Sequence, residues 1–289
     1  MPFPPGTPSE FVIRALAERL SEKLKQPFII ENRPGGAGGT VGAAAVAAAA
    51  PDGYTLLATS PGPLVTAAAM FKNLPYDPAA LVPIAQLFES PQLLAVHPSV
   101  PAKSLEEFVL YAKAHPRTIN FASPGIGTFP HLLGEMLKTS AGIEIDHVPY
   151  SGPAAALKDV VAGHVKMYFE TSTLIIPQAE AGAVRVLAAA SETRTERLPD
   201  IPTTRESGYP EVVGAFWSGL LAPPGTPAEI VGILNAAANE AMQSAEVGNA
   251  LTKLAARRRT GSPEQFREFI AGESGKWSNV IRSAGIRTP

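Results

Sequence analysis

Two stretches rich in small residues, "PFPPGTPSE" near the start and "ASPGIGTFPH" further on, define the chemistry open to this chain. In the first, Thr7, Pro8, Ser9 and Glu10 read as an N-cap, a proline at the first helical position and an acid three residues after the cap. The stripe Val12, Leu16, Leu20 and Leu24 behind them has helical spacing. In the second, Gly125 and Gly127 let the backbone approach a ligand closely, and Ser123 and Thr128 supply hydroxyls. Helix N-termini carry unpaired N–H groups and partial positive charge, so they accept carboxylates without Lys or Arg. Neither loop contains Lys or Arg. The plainer reading is ordinary capping, with Thr7 and Thr128 serving their own helices. Glu10 cuts against an anion in the first loop unless its carboxylate turns away or bonds an amine or hydroxyl.

Signatures of bond-breaking chemistry are missing from the sequence. It has no G-x-S-x-G elbow, no phosphate-binding G-x-x-x-x-G-K-[ST] and no H-E-x-x-H pair. "GGAGGTVG" fails the dinucleotide pattern because Val41 stands where a glycine is needed, and it reads as a tight turn between strand and helix. His131 and Glu135, four apart on one helix, make a possible metal pair, but a hydrogen-bonded role is the commoner fate of such a histidine. Ser123 with a distant His and Asp has no spacing to recommend it as a triad. The expectation is therefore no catalytic residue, no metal and no cofactor, but non-covalent capture of a small ligand.

The elements that must position these loops follow from the patterning. A net charge of -2 argues against a nucleic-acid partner. Zero cysteines exclude disulfides, a thiol nucleophile and thiolate metal sites. The alanine-rich "VGAAAVAAAAP" is too short to span a membrane and reads as a buried helix closed by Pro51. Strand-like "PFIIEN", "YTLLATS", "LLAVHP", "TINFAS", "IDHVPY", "KMYFE" and "VRVLAAAS" alternate with helix-like runs, which predicts an α/β fold with parallel sheets and crossover helices. Ser104 and Glu107 repeat the capping-box pattern before "FVLYAKAHP". After Trp217 the texture turns helical, and stretches near 92–98 and 213–221 are candidates to run between two lobes.

Taken together, "PFPPG", "IIENRPGGAGG", "AAPDGYTLL", "LPYD", "FASPGIGT" with His131, "HVPYSGPAAALKDVVAGHV", "RLPDIPTTRESGYP", "FWSGLLAPPGTP" and "KWSNVIRSAGI" resemble, in order and spacing, the Bug-type receptors of tripartite tricarboxylate transporters. The likeness covers nearly the whole chain. It implies a fold like the type II periplasmic binding proteins, with two α/β lobes joined by hinge strands around a ligand cleft. Residues 1–98 with 215–289 would form the first lobe and 99–214 the second. It further implies a periplasmic, monomeric protein that binds a small organic acid and serves a membrane permease.

Carried over by position, the ligand-binding residues are Phe3, Gly6, Thr7, Ser9 and Glu10 in the first loop, then Thr59 and Ser60. In the second lobe they are Ser123, Gly125, Ile126, Gly127 and Thr128, with Tyr150 and Glu170. "IIENRPGGAGG" is then a scaffold signature, and Trp217 matches an aromatic on the return to the first lobe, where packing competes with ligand contact. Three departures stand out. Thr7 replaces a usual glycine, and both Glu10 and Glu170 replace a usual aspartate. The secretion signal and first strand that family members carry before "PFPPG" do not appear, which predicts a weakly anchored first loop. Two other functions share the scaffold on this reading. One is a sensor that presents its liganded form to a signalling partner; the other is a hydrolase using Ser123, or Glu170 with His131.

Overall fold

The computed structural model describes residues 1–286. In chain order its main elements are α1 (Pro8–Leu24), α2 (Thr40–Ala47), β1 (Leu57–Thr59), α3 (Ala67–Met70) and β2 (Val82–Val96). Then come α4 (Leu105–Ala114), β3 (Asn120–Ser123), α5 (Phe129–Ala141), β4 (Asp146–Pro149), α6 (Pro153–Val161) and β5 (Met167–Thr171). The remainder is α7 (Ser172–Glu180), β6 (Arg185–Ala189), β7 (Ala215–Ala222), α8 (Ala228–Ala241), α9 (Ala245–Lys253), β8 (Arg257–Arg258) and α10 (Pro263–Ser283). Two compact units result. One holds Met1–Glu89 with Trp217–Asn279, the other Ser90–Phe216 with the described residues from Val280 on, so the chain passes between them within β2, β7 and α10.

The first unit has strand order β1-β7-β2-β8, with β1 antiparallel to β7 and β8 antiparallel to β2. The predicted stripe is its helical seam: Val12, Leu16 and Leu20 are buried, and α1 packs on α8 and α9. Trp217 is fully buried and meets Phe266 and Phe269 edge-on at 5.7 and 5.5 Å, a packing role. Gly219 makes room for that cluster, since a Cβ there would lie 2.1 Å from the Phe266 ring.

The second unit has strand order β6-β2-β5-β3-β4. Parallel pairing is confined to β3–β4 and β3–β5, whereas β2 runs antiparallel to both β5 and β6. The expected parallel sheets are thus corrected to a mixed one here and to antiparallel β1–β7 and β2–β8 pairs in the first unit. Alternating strands and helices give crossovers between parallel strands only here, where α5 links β3 to its neighbour β4 and α6 links β4 to β5 on the far side of β3. The core of this unit is Phe121, Phe108, Tyr168 and Phe169 with the leucines of α5.

"PFIIEN" is a second correction. Residues 27–31 belong to no strand, because a strand needs a partner along its length. Their ladder is a single rung: the Met1 amino group donates to the Glu31 carbonyl at 2.6 Å, and Arg33 N–H donates to the Met1 carbonyl at 2.8 Å.

Candidate functional site

The first loop is held from below by the glycine signature. Gly39 and Gly42 lie against Pro2 so closely that a Cβ on either would come within 2.9 Å of it. Asn32 Nδ2 donates to the Phe3 carbonyl at 3.0 Å. With the Met1 rung, these contacts anchor the loop, which corrects the expectation of weak anchoring and gives "ENRPGGAGG" its structural meaning. Gly6 turns the chain at φ +82°, a conformation that side chains resist.

At the start of α1 the capping box is only half made. Thr7 supplies no side-chain cap, and its Oγ1 is buried without a hydrogen-bond partner. Glu10 reaches past Thr7 to accept from Gly6 N–H at 2.7 Å, and also accepts from Arg14 Nε at 2.8 Å. The same reach recurs in α4, where Glu107 accepts from Lys103 N–H at 2.7 Å while Ser104 caps Glu107 N–H at 3.2 Å. Burial opposes ionisation of Glu10, but Arg14 and the Gly6 amide together hold its pKa below the usual carboxylate value. Arg14 thereby offsets the negative charge of Glu10 at the start of α1. The other two candidates in this unit, Thr59 and Ser60, are buried, and Thr59 Oγ1 donates to the Ser60 carbonyl at 3.3 Å.

In the second unit the loop after β3 is a closed ring of hydrogen bonds. Ser123 Oγ is bonded to His147 Nε2 at 2.7 Å, receives Gly125 N–H at 3.2 Å and lies 3.0 Å from the Gly125 carbonyl. Thr128 does not cap α5; its hydroxyl donates to the Gly125 carbonyl at 2.7 Å. Gly127 N–H donates to His131 Nδ1 at 3.0 Å, which obliges that imidazole to carry its proton on Nε2. The amides of Gly125, Gly127 and Thr128 are therefore occupied within the loop, whereas Ile126, 49% exposed, has an N–H with no partner among the described residues.

His131 and His147 stack at 3.8 Å between centroids, with Phe121 4.9 Å from His147. Burial, then the neighbouring imidazole and Lys138, depress His131 to about 3; burial and Lys138 depress His147 to about 4. Both rings are thus neutral at physiological pH. His131 Nε2 stands 4.0 Å from Glu135, and among the described residues no three His, Asp or Glu side chains converge as a metal site.

Tyr150 and Glu170 are likewise committed to neighbours. Tyr150 N–H donates to the Ser123 carbonyl at 2.9 Å and its hydroxyl to Asp159 at 2.7 Å, and burial with that bond raises the phenol to about 12. Glu170 is buried. Tyr168 O–H donates to one oxygen at 2.5 Å and Thr171 N–H to the other at 2.8 Å. Burial outweighs these bonds and pushes its pKa up. On β2, Leu93 pairs with Glu170, and Ser90 and Gln92 are buried with Oγ and Oε1 lacking partners. His147 and Asp159 are the residues that sequence reasoning missed. The signal for His147 was the β3–β4 register, which is not visible in either segment alone.

The fold is that of the periplasmic solute-binding proteins. MatC from Rhodopseudomonas palustris with bound malate superposes with a TM-score of 0.80 at 34% identity, over 96% of each chain. The R. palustris protein Rpa4515 with adipate gives 0.84 at 34% identity, over 99% of this chain and 95% of that one. The chain belongs to the tripartite tricarboxylate transporter receptor family, whose sequence profile matches residues 12–286. Among curated relatives, BugT of Bordetella pertussis is 36% identical over 99% of this chain and 88% of its own length.

Proposed function

We propose that this protein captures a small organic carboxylate in the periplasm, as a monomer, and passes it to a tripartite membrane permease without breaking any bond in it. The observation that carries the reading is the open start of α1. Thr7 Oγ1 is buried and unpartnered, and neither the Thr7 nor the Ser9 N–H has a partner among the described residues. One carboxylate would satisfy all three donors, adding charge-assisted bonds to the favourable helix end. Phe3, Gly6, Thr59 and Ser60 complete this half of the binding set. Within the second unit, the unpartnered Ile126 N–H is a donor of the same kind, and Ser123, Gly125, Gly127 and Thr128 hold its loop rigid. Tyr150 and Glu170 belong to that unit's share of the candidates, and Glu170, driven toward its neutral form, repels an anion less than an ionised acid would. Malate in MatC and adipate in the R. palustris protein support a carboxylate as the ligand class.

The contact between Ser123 and His147 favours one competing reading, a hydrolase. Ser123 is fully buried, however, and its hydroxyl belongs to a three-membered set of structural bonds rather than to an open attack position. Screening mono- and dicarboxylates by thermal shift tests the proposal. A ligand at a hundredfold excess over Kd adds about 2.7 kcal/mol, and it should be recovered chemically unchanged after long incubation. No stabilisation by any acid, in protein shown to be folded, would overturn carboxylate capture; conversion of the acid would favour the hydrolase.

A further inference from the structure

We infer that Ser90 and Gln92 form, at the carboxyl edge of the second unit's parallel strands, a polar subsite for an alcohol group, so that the acid captured is a hydroxy acid. The inference rests on the carboxylate reading above and narrows its ligand class. Among the described residues, two side chains of the second unit hold a buried polar atom with no hydrogen-bond partner, and they stand two apart on β2. Ser90 is 3% exposed and Gln92 1%, so bulk water does not offset the lost hydration of Ser90 Oγ or Gln92 Oε1. The backbone around them is pinned. Ser172 Oγ donates to the Pro91 carbonyl at 3.1 Å, and Ala190 N–H to the Gln92 carbonyl at 2.8 Å.

Register puts the pair beside the loop after β3. Gln92 lies opposite Thr171 at the end of β5, and β5 runs parallel to β3 with Met167 opposite Phe121. Side chains two apart share a face, so Ser90, Gln92, Thr171, Phe121 and Ser123 stand on one face of the sheet. Because β2 is antiparallel to β5, its Ser90 end lies at the carboxyl edge of β3 and β5, where the loop 124–128 begins. Ligands of open α/β sheets gather at that edge.

The chemistry of the two atoms selects the group. Gln92 Oε1 only accepts, whereas Ser90 Oγ both donates and accepts. An alcohol matches both at once, giving its proton to Oε1 and taking one from Oγ. A methylene in its place leaves both atoms unpaired, and a carboxylate sets its charge against Oε1. An ammonium can donate to both but brings a positive charge that needs an anion. The acid adjacent to Thr171, Glu170, stands on the opposite face of β5, and burial drives it toward its neutral form.

The test is calorimetric titration of the full chain with acids that differ in one substituent: malate, succinate and aspartate; 3-hydroxybutyrate and butyrate; 3-hydroxyadipate and adipate. In at least one set the hydroxy acid should bind at least about a hundredfold more tightly than its unsubstituted partner, because a site built for a hydroxyl rejects the analogue without one. Gln92→Leu should bring that pair within about threefold of each other, and Ser90→Ala should narrow the gap about tenfold. Without ligand, Gln92→Leu removes an unpaired carbonyl, so the melting temperature should hold or rise. A fall of more than about 5 °C would show the amide paired in the free fold and overturn the inference. Gln92→Met, with an unbranched apolar chain, repeats the measurement so that a misfit of leucine is not mistaken for a lost bond. Equal affinities within every set, or a preference for aspartate, would overturn the inference and leave carboxylate capture standing. Binding of no acid at all, by protein shown to be folded, removes both.

Discussion

Thr7 concentrates the functional argument in one atom. A buried hydroxyl without a partner costs the unliganded fold, because its lost hydration is not repaid. Thr7→Val keeps the side chain's shape and removes that cost, so the melting temperature of the free protein should hold or rise slightly. Its affinity for the best carboxylate of the screen should fall about tenfold, the worth of one hydrogen bond to a charged group. Calorimetric titration beside a melting curve separates the two effects, and unchanged affinity would remove Thr7 from the site. Ser123→Ala should act the opposite way. It strands His147 Nε2 and the Gly125 amide, costing about 1–3 kcal/mol of stability measurable in urea. The residue types at both loops were legible in the sequence, as were the helix starts behind them. Their partners were not. Capping by Thr7 and Thr128 is the common local solution, and only the geometry shows Glu10 bonding Gly6 and Thr128 bonding Gly125 instead.

At the scale of elements, the Ser123 cluster is a product of register. β3 and β4 pair in parallel with Phe121 opposite His147 and Ser123 opposite Pro149, so Phe121, Ser123 and His147 share one face. α5 lies across β3, and His131, near its start, is placed onto that face. Gly134 lets the helix come close: a Cβ there would sit 2.2 Å from Phe121 Cε2. Gly134→Ala should therefore push on the ring that stacks against His147, at a cost of about 1–3 kcal/mol despite alanine's better helix propensity. Gly232→Ala in α8 meets nothing within 4 Å and should instead stabilise by about 0.5–1 kcal/mol. Thermal melts of the two variants should move in opposite directions. This juxtaposition explains why element types could be read from periodicity while sheet direction and the His147 contact could not. Period and capping act within about ten residues, whereas the pairing that joins Ser123 to His147 acts across segments. "PFIIEN" shows the same limit from the other side, since its apolar run is strand-like in type but its state depends on a partner elsewhere.

For the whole molecule, the buried titratable groups make stability depend on pH with a sign that can be worked out. His131 and His147 have folded pKa values of about 3 and about 4 against 6.5 for an exposed histidine. Between those limits the unfolded chain binds two protons that the fold refuses, so stability falls as pH drops below 6.5. Each such proton contributes a slope of about 1.4 kcal/mol per pH unit. Glu170 works in the reverse sense. Its folded pKa is raised above 4.5, so the fold keeps a proton that the unfolded chain has lost, and this part of the stability declines as pH rises from 4.5. Glu10, whose pKa is lowered, adds stability that disappears only as pH falls below 4.5, under the histidine window. His97, depressed by burial and then by Lys166, acts in the same sense, so the histidines lose stability on acidification below 6.5 while Glu170 opposes them from 4.5 upward. In H131Q, the glutamine carbonyl can still accept from Gly127 N–H but does not titrate. Urea unfolding between about pH 6.5 and 5 should show a shallower slope for H131Q than for the native chain, while E170Q should lose the opposing contribution and steepen it just above pH 4.5. Identical slopes for the native chain and H131Q would mean that His131 takes up its proton in the fold as readily as in water, and the stacked, neutral pair would have to be abandoned.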